Sequence, residues 1–378
     1  MKKSMFIAAM AAMVLVGCTK DESIVEQQEI GFQPLAYKAS QTKVNVITGA
    51  TYGIDAPSFG LFAYQLTEGT FDANKADAKL YIDNKEVSYT DGNWRTYPKS
   101  FWPLQGSLTF VAYSPYLESR QVSYAIQDVT TANQSTIKAS VLTINGFQAG
   151  TTGQKDLMWS THTKDQTSNG SVNNYPEASP TYAGVPILFN HALCRIKITA
   201  KTAENYSSFA TYKLKQIQVV GLKDNATLTV TDDAAVWSDV SNDLTTFDFY
   251  APATYKVLSA NSDTVTYMNA ETAGNGLLAI PQSLNDVQLL VTYTMTVDPD
   301  GNGSAPAVVT ETTKEVTLKT NALSQLEQNK VYTLNLSISA NEILYSPDVN
   351  DWEVGYNHDQ DGTTPDVNYG GDYVVPQQ

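Results

Sequence analysis

Lys330-Val331-Tyr332-Thr333-Leu334-Asn335-Leu336-Ser337-Ile338-Ser339 alternates without a break. Tyr332, Leu334, Leu336 and Ile338 fall on one side, and Val331, Thr333, Asn335, Ser337 and Ser339 fall on the other. A period of two is that of an extended strand with one face buried. The same pattern recurs outward from there. Lys43-Val44-Asn45-Val46-Ile47 and Tyr212 to Val220 also alternate. Phe59-Gly60-Leu61-Phe62-Ala63-Tyr64 and Leu108-Thr109-Phe110-Val111-Ala112-Tyr113 are more continuously apolar, as strands central to a sheet are. Val185 to Ile198 is the longest strand-like run. Leu80-Tyr81-Ile82 and Val87-Ser88-Tyr89 flank Asp83-Asn84-Lys85-Glu86, which reads as the polar loop of a hairpin. Residues 163 to 183, rich in Asn, Ser, Thr and Gly, read as a long surface loop. No segment after the first 17 residues sustains a helical period. The sequence predicts an all-β protein, and more than 300 such residues suit two β-sandwiches in tandem.

The N-terminus carries an address. Lys2 and Lys3 precede the uncharged run Met5 to Val16, which ends in Leu15-Val16-Gly17-Cys18. A basic start and a short apolar core form an export signal. The core falls short of the ~20 residues needed to cross a bilayer. A small residue followed by cysteine reads as a lipobox, with cleavage between Gly17 and Cys18 and acylation (palmitate) of Cys18. Thr19-Lys20-Asp21-Glu22 resembles the Lys-plus-two-acids tag of surface lipoproteins in Gram-negative bacteria. The expected location is therefore the outer membrane, facing outward.

Loss of residues 1–17 leaves 22 basic against 39 acidic residues, a net charge of −17. Such a surface is unsuited to nucleic acid, whose phosphates are bound through Lys and Arg. Of the two cysteines, Cys18 is committed to lipid, so Cys194 has no intrachain partner. Three histidines and one thiol make a zinc site an unpromising reading.

Reactive groups in recognisable arrangements are scarce. No Ser/His/Asp set with a nucleophile elbow, no metalloprotease motif and no phosphate loop is present. Asp298-Pro299-Asp300-Gly301-Asn302-Gly303 begins like a calcium loop, but its twelfth position is Val309 rather than Glu. It lies between two strands and reads as a hairpin loop. His191, among apolar neighbours, reads as a structural hydrogen-bonding group. No cofactor or metal is expected, and the chain does not read as an enzyme. The block Trp94, Tyr97, Phe101, Trp102 has two readings. It could fill a core, or, if exposed, Trp94, Trp102 and the neighbouring tyrosines could form the sugar-stacking platform of a carbohydrate-binding surface lipoprotein.

Taken in order, these pieces resemble the fimbrillin (minor-fimbrillin-like) family, subunits of type V pili. The pieces are the lipobox at Cys18, Ile30-Gly31-Phe32, Phe59 to Tyr64, Trp102-Pro103 with Leu108 to Pro115, and Asp156-Leu157-Met158. Val185 to Ile198, Asn329 to Leu334 and Trp352-Glu353-Val354 complete the set. The resemblance implies two tandem transthyretin-like (Greek-key) β-sandwiches, and a role in adhesion as part of a fimbria. It implies a lipoprotein precursor whose first strand is removed by a trypsin-like protease, so that a strand from a neighbouring subunit takes its place. Its partners would be other pilus subunits, the outer membrane through lipid, and ligands on host or bacterial surfaces. One departure stands out, since stem subunits are usually cut after an arginine and this chain has none before Arg95. Lys38 and Lys43 are the nearest basic residues and the candidate cleavage positions. An uncut chain would instead serve as a lipid-held anchor. The expected layout is signal peptide 1–17, tether 18–29, N-terminal sandwich 30–187 and C-terminal sandwich 188–357. An acidic, Gly-rich tail at 358–378 follows, whose Val367, Tyr369, Tyr373 and Val374 are candidate donor-strand residues.

Overall fold

A computed structural model describes residues 28–36, 58–90, 93–117, 120–150, 154–168, 170–171, 184–203, 210–238, 240, 242–261, 263–265 and 276–352. The described chain is nearly all β. The first half carries β1 (Phe32–Ala36), β2 (Phe59–Leu66), β3 (Lys79–Thr90), β4 (Asn93–Thr96), β5 (Ser107–Ser114), β6 (Val122–Thr130), β7 (Thr136–Gln148), β8 (Met158–Ser160), β9 (Thr163–Thr167), β10 (Gly170–Ser171) and β11 (Val185–His191). The second carries β12 (Cys194–Thr202), β13 (Ala210–Leu222), β14 (Asn225–Thr231), β15 (Ala234–Ser238), β16 (Thr245–Tyr250), β17 (Lys256–Val257), β18 (Asp263–Val265), β19 (Leu277–Ala279), β20 (Gln288–Val297), β21 (Val308–Thr317), β22 (Lys330–Ile338) and β23 (Ile343–Asp351). One helical turn, α1 (Phe71–Asn74), runs into a 3-10 turn at Lys75–Asp77. No helix among the described residues is long and apolar enough to cross a membrane.

In the first half the strands run β5-β2-β3-β4-β1-β11-β8, and β8 pairs back onto β5 through Tyr113↔Trp159 and Ser114↔Met158. The sheet closes on itself as a seven-strand ring. Alternation along each strand then sorts the side chains. Phe59, Leu61 and Ala63 of β2, with Leu108, Phe110 and Ala112 of β5, share the ring's own core with Phe32, Val185, Ile187 and Phe189. Their neighbours Phe62, Tyr64, Val111 and Tyr113 point the other way, into a second core. That core is covered by the sheet β15-β14-β7-β6 through Val122, Tyr124, Leu142, Ile144, Leu228 and Val230. β2 and β5 are thus buried on both faces, which is why their sequences read as unbroken apolar runs.

The second half packs the sheet β18-β12-β22-β23 on β16-β13-β20-β21, with β19 on β12 and β17 on β13. Tyr332, Leu334, Leu336 and Ile338 of β22 point into this third core, on the side their alternation predicts. The expected all-β class is what the protein adopts.

Three sequence expectations change. The polar run Asp83-Asn84-Lys85-Glu86 is not a hairpin loop but the middle of β3. The pairing steps from Leu61↔Lys85 to Ala63↔Ile82, so Asp83 and Asn84 together oppose Phe62 in a bulge. Asn84, at φ 38°, takes the left-handed conformation, and its Oδ1 accepts from Tyr113 Oη at 2.7 Å. The hairpin is instead that of β3 with β4, whose antiparallel pairing ends with Thr90 opposite Asn93. The stretch read as a loop from 163 begins with β9, whose buried Thr163, Asp165 and Gln166 line up against β5. And the long run Val185–Ile198 is two strands. β11 completes the ring, Ala192-Leu193 changes sheet, and β12 opens the second half. Position 187/188 lies within β11. The hairpin β14–β15, from the second half of the sequence, joins the first half's covering sheet through β7.

Candidate functional site: the seam of the first strand

The resemblance directs attention to the first strand, and β1 is held asymmetrically. On one side it runs parallel to β11 through five pairs, Phe32↔Val185 to Ala36↔Phe189. On the other it meets β4 at one pair, Phe32↔Trp94. The lead-in residues are laced to the segment after β4. Ile30 N–H donates to Ser100 O, Trp102 N–H to Gln28 O (both 2.9 Å), and Lys99 Nζ lies 2.7 Å from Glu29 Oε2. Gly184 sits where this lacing meets β11, and a Cβ there would come within 2.7 Å of Gly31 carbon and oxygen. Only glycine permits that approach at φ 132°.

Alternate side chains of this segment, Ile30, Phe32 and Pro34, are buried. Phe32 meets Phe59 and Phe110 edge-on, with centroids 6.3 and 5.8 Å apart. Phe59 in turn touches Trp94 and Phe189 at 5.6 and 5.5 Å, and Trp102 meets Phe110 at 5.9 Å. Each such residue stabilises the fold by about 2 kcal/mol through burial alone. Without residues 28–36 the ring would open along one seam, baring backbone donors and acceptors on both walls beside an aromatic-lined slot.

Burial places both tryptophans in the ring's core, Trp94 at 7% exposed and Trp102 at 5%, so neither is available to a sugar platform. Of the same block, Tyr97 and Phe101 face solvent at 89% and 38%. Asp298–Gly303 is the turn between β20 and β21, and its carboxylates bond backbone N–H groups of their own loop. Asp298 Oδ2 accepts from Gly303 N–H at 2.9 Å and Asp300 Oδ2 from Ala305 N–H at 2.7 Å. Cys194 is a buried thiol donating to Ala279 O, and burial pushes its pKa up. No group of His, Cys, Asp and Glu able to hold a metal occurs among the described residues. Gly17, Cys18, Lys38, Lys43, Val367, Tyr369, Tyr373 and Val374 lie outside the described residues.

His191 is structural. Its Nδ1 lies 2.7 Å from Asp156 Oδ2, with both side chains inaccessible, and its ring stacks at 3.9 Å on Trp352, over which Arg195 also lies.

A second polar cluster has no counterpart in the sequence reading. Ser140 Oγ lies 2.9 Å from His162 Nε2, and His162 Nδ1 lies 2.5 Å from Asp233 Oδ1. This is the connectivity of a hydrolase relay, without its setting. Ser140 is mid-strand in β7, wholly buried, and its hydroxyl also reaches Asp232 Oδ1 at 2.9 Å. A nucleophile needs access and a place for the reacting carbonyl, and an inaccessible Oγ offers neither. The groups are spread over more than 90 residues, on strands and turns that no local motif unites.

The profile of the fimbrillin-like family matches residues 42–352. No curated protein matches. Among solved structures, a fimbrial protein from Bacteroides vulgatus aligns over 86% of this chain and 99% of its own, at 20% identity and a TM-score of 0.56. At that identity the likeness concerns the fold. The tip fimbrial protein of Porphyromonas gingivalis, truncated at its C-terminus, aligns over 80% and 96%, at 10% identity and a TM-score of 0.33. Since the family profile runs from ahead of β2 to Trp352, through six of the ring's seven strands and the second half alike, the chain belongs to the fimbrillin-like family.

Proposed function

We propose that the chain is a non-enzymatic subunit of a surface fimbria, delivered as an outer-membrane lipoprotein through Cys18 and assembled by exchange of its first strand. The observation that carries this reading is the asymmetric seam of β1, with five pairs on one side, one on the other, and a core-filling aromatic at its centre. Lys38 and Lys43 follow the last residue of β1 by two and seven positions, so a cut at either would separate β1 from the rest of the chain. A strand entering the vacated slot would satisfy both backbone walls and seat alternate side chains. Head-to-tail insertion does not close on itself, and so builds a filament.

The slot's seats follow the pattern Ile30-x-Phe32-x-Pro34. Val367-Asn368-Tyr369-Gly370-Gly371 repeats it with an aliphatic, an aromatic and a small residue, which makes Val367 and Tyr369 the better-matched donors; Tyr373 and Val374 lie beyond. A chain that keeps β1 would act as the lipid-held anchor instead.

The test is trypsin-type treatment of the folded precursor, followed by mass spectrometry of the new N-terminus and unheated SDS gels. Termini after Lys38 or Lys43 together with SDS-resistant ladders support the polymerising subunit. An intact or trimmed product that stays monomeric removes it, and acylated Cys18 on an intact chain leaves the anchor.

A further inference from the structure

The halves of this protein are joined at several places besides the covalent passage from β11 to β12 through Ala192-Leu193. Gln154 bonds Gly276 O and Leu278 N–H, and Trp352 stacks on His191. The most extended of these junctions is the hairpin β14–β15, which leaves β13 and lies on the first half's covering sheet. β14 pairs with β7 from Asn225↔Gln148 to Thr231↔Val141. Its Ala226, Leu228 and Val230 sit in one core with Phe62, Tyr64, Tyr113 and Trp159 of the first half.

The tip of the hairpin is a clasp. Asp232 and Asp233 both take the left-handed conformation, at φ 43° and 71°, which turns the chain between β14 and β15 in two residues. Asp232 Oδ1 accepts from Ser140 N–H (3.0 Å), Ser140 Oγ (2.9 Å) and Lys75 Nζ (2.8 Å). Asp233 Oδ1 accepts from His162 N–H (2.8 Å) and holds His162 Nδ1. His162 Nε2 meets Tyr124 Oη at 2.8 Å, and Phe71 stacks on the ring at 5.6 Å. The two carboxylates thus grip the 3-10 turn, β7 and the β8–β9 connection, all in the first half, and β6 is joined through the imidazole. At the hairpin's other end, Trp237 Nε1–H donates to Ala192 O at 2.8 Å, in the sheet-changing segment itself.

We infer that the β14–β15 hairpin is a mechanical tie: tension applied across the molecule passes through its ladder and carboxylate clasp, so that the halves yield together rather than one after the other. The inference concerns the single chain and stands whether or not strand exchange occurs. It assigns the Ser140-His162-Asp233 chain a holding role. The geometry suits it, because charge-assisted hydrogen bonds to carboxylates are short, directional and about twice as strong as neutral ones.

The test is single-molecule pulling of the full chain carrying Cys18→Ser, with handles on Lys99→Cys in the first half and Leu344→Cys in the second, both exposed positions. One rupture that releases both halves is expected. Asp232→Asn with Asp233→Asn should split it into two steps, the first about tenfold or more faster at equal force, the factor that 1.4 kcal/mol produces. Two separable steps in the parent chain, or a double variant that still yields in one unaltered step, would overturn the tie. Should the double variant fail to fold, Ser140→Cys with Asp232→Cys joins two residues already bonded through Asp232 N–H and Ser140 O (3.0 Å). Its oxidised form should hold longer than its reduced form, and equal lifetimes would overturn the inference as well.

Discussion

Two segments complete sheets of the first half from a distance, and they are fastened in opposite ways. β1 comes from the N-terminus and is held by burial, with Ile30, Phe32 and Pro34 in an aromatic core and a backbone ladder on one side. The β14–β15 hairpin comes from the second half. It is held by burial too, but its tip adds two carboxylates bonded to Ser140, His162 and Lys75. Apolar seats are indifferent to which chain fills them, provided size and alternation agree. A geometric clasp of charged groups accepts its own partner and little else. The difference separates a place suited to replacement from a place suited to permanence.

Four changes would break or sharpen that contrast. The largest effect is expected at the centre of the slot. Phe32→Ala removes a side chain packed against Phe59 and Phe110, and should cost about 3–5 kcal/mol in urea unfolding. Phe32→Tyr, mimicking Tyr369, should cost far less. If the alanine variant is as stable as the parent, β1 is not seated as described.

Asp233→Asn comes next. It removes the charge from the hydrogen bonds to His162 inside a largely enclosed site, and about 1.5–3 kcal/mol of stability should be lost in the same assay. Phe32 packs in the ring's core and Asp233 bonds at the hairpin tip, with no partner in common, so the double variant should be additive to within about 0.5 kcal/mol. A larger deviation would mean that the two fastenings are coupled.

Acid should act on one fastening and spare the other. Burial alone pushes both Asp232 and Asp233 up, but Lys75 and Ser140 around Asp232, and His162 around Asp233, outweigh it and hold both below the ordinary carboxylate value. Lys164 also favours the charged form of Asp233. A carboxylate with a lowered folded pKa contributes stability that is present above its unfolded value and is lost as pH falls through the folded one. The clasp should therefore loosen below about pH 4, and hydrogen exchange should quicken at the β14–β15 tip before it quickens in β2 or β5. Simultaneous exchange at both would remove the distinction.

The smallest effect is expected from Lys75→Ala. Its ammonium is mostly sheltered and meets Asp232 at 2.8 Å, yet the partner is about one-third exposed. A loss of about 1 kcal/mol or less is expected in chemical denaturation.

Strand identity was legible wherever one residue's neighbours two positions away share its environment. β22 and β13 show their alternation, and β2 and β5 show their double burial. What the sequence withheld was pairing over distance. Nothing local to Asn225–Ser238 says that it will lie on β7 rather than on β12 or β13, because either sheet would accept the same alternation. The bulge at Asn84 was misread for a related reason, since polar residues serve a turn and a bulge equally well. His162 stood in a polar stretch with no periodicity, and its partners are 22 to 71 residues away. The slot itself was anticipated only as far as Ile30-Gly31-Phe32; that Trp94 and Trp102 would wall it rather than face solvent depended on the ring closing.

Trp352 fixes a point of departure. Its indole is clamped on His191 at the joint between the halves, and its backbone N–H donates to Asn329 O at 2.8 Å. The residues beyond it are therefore leashed there and not at a free end of β23. At ~3.3 Å per extended residue, position 367 can be no more than about 50 Å from that anchor. In any fibre joined through position 367, that ceiling bounds how far a neighbour's slot can lie from this Trp352.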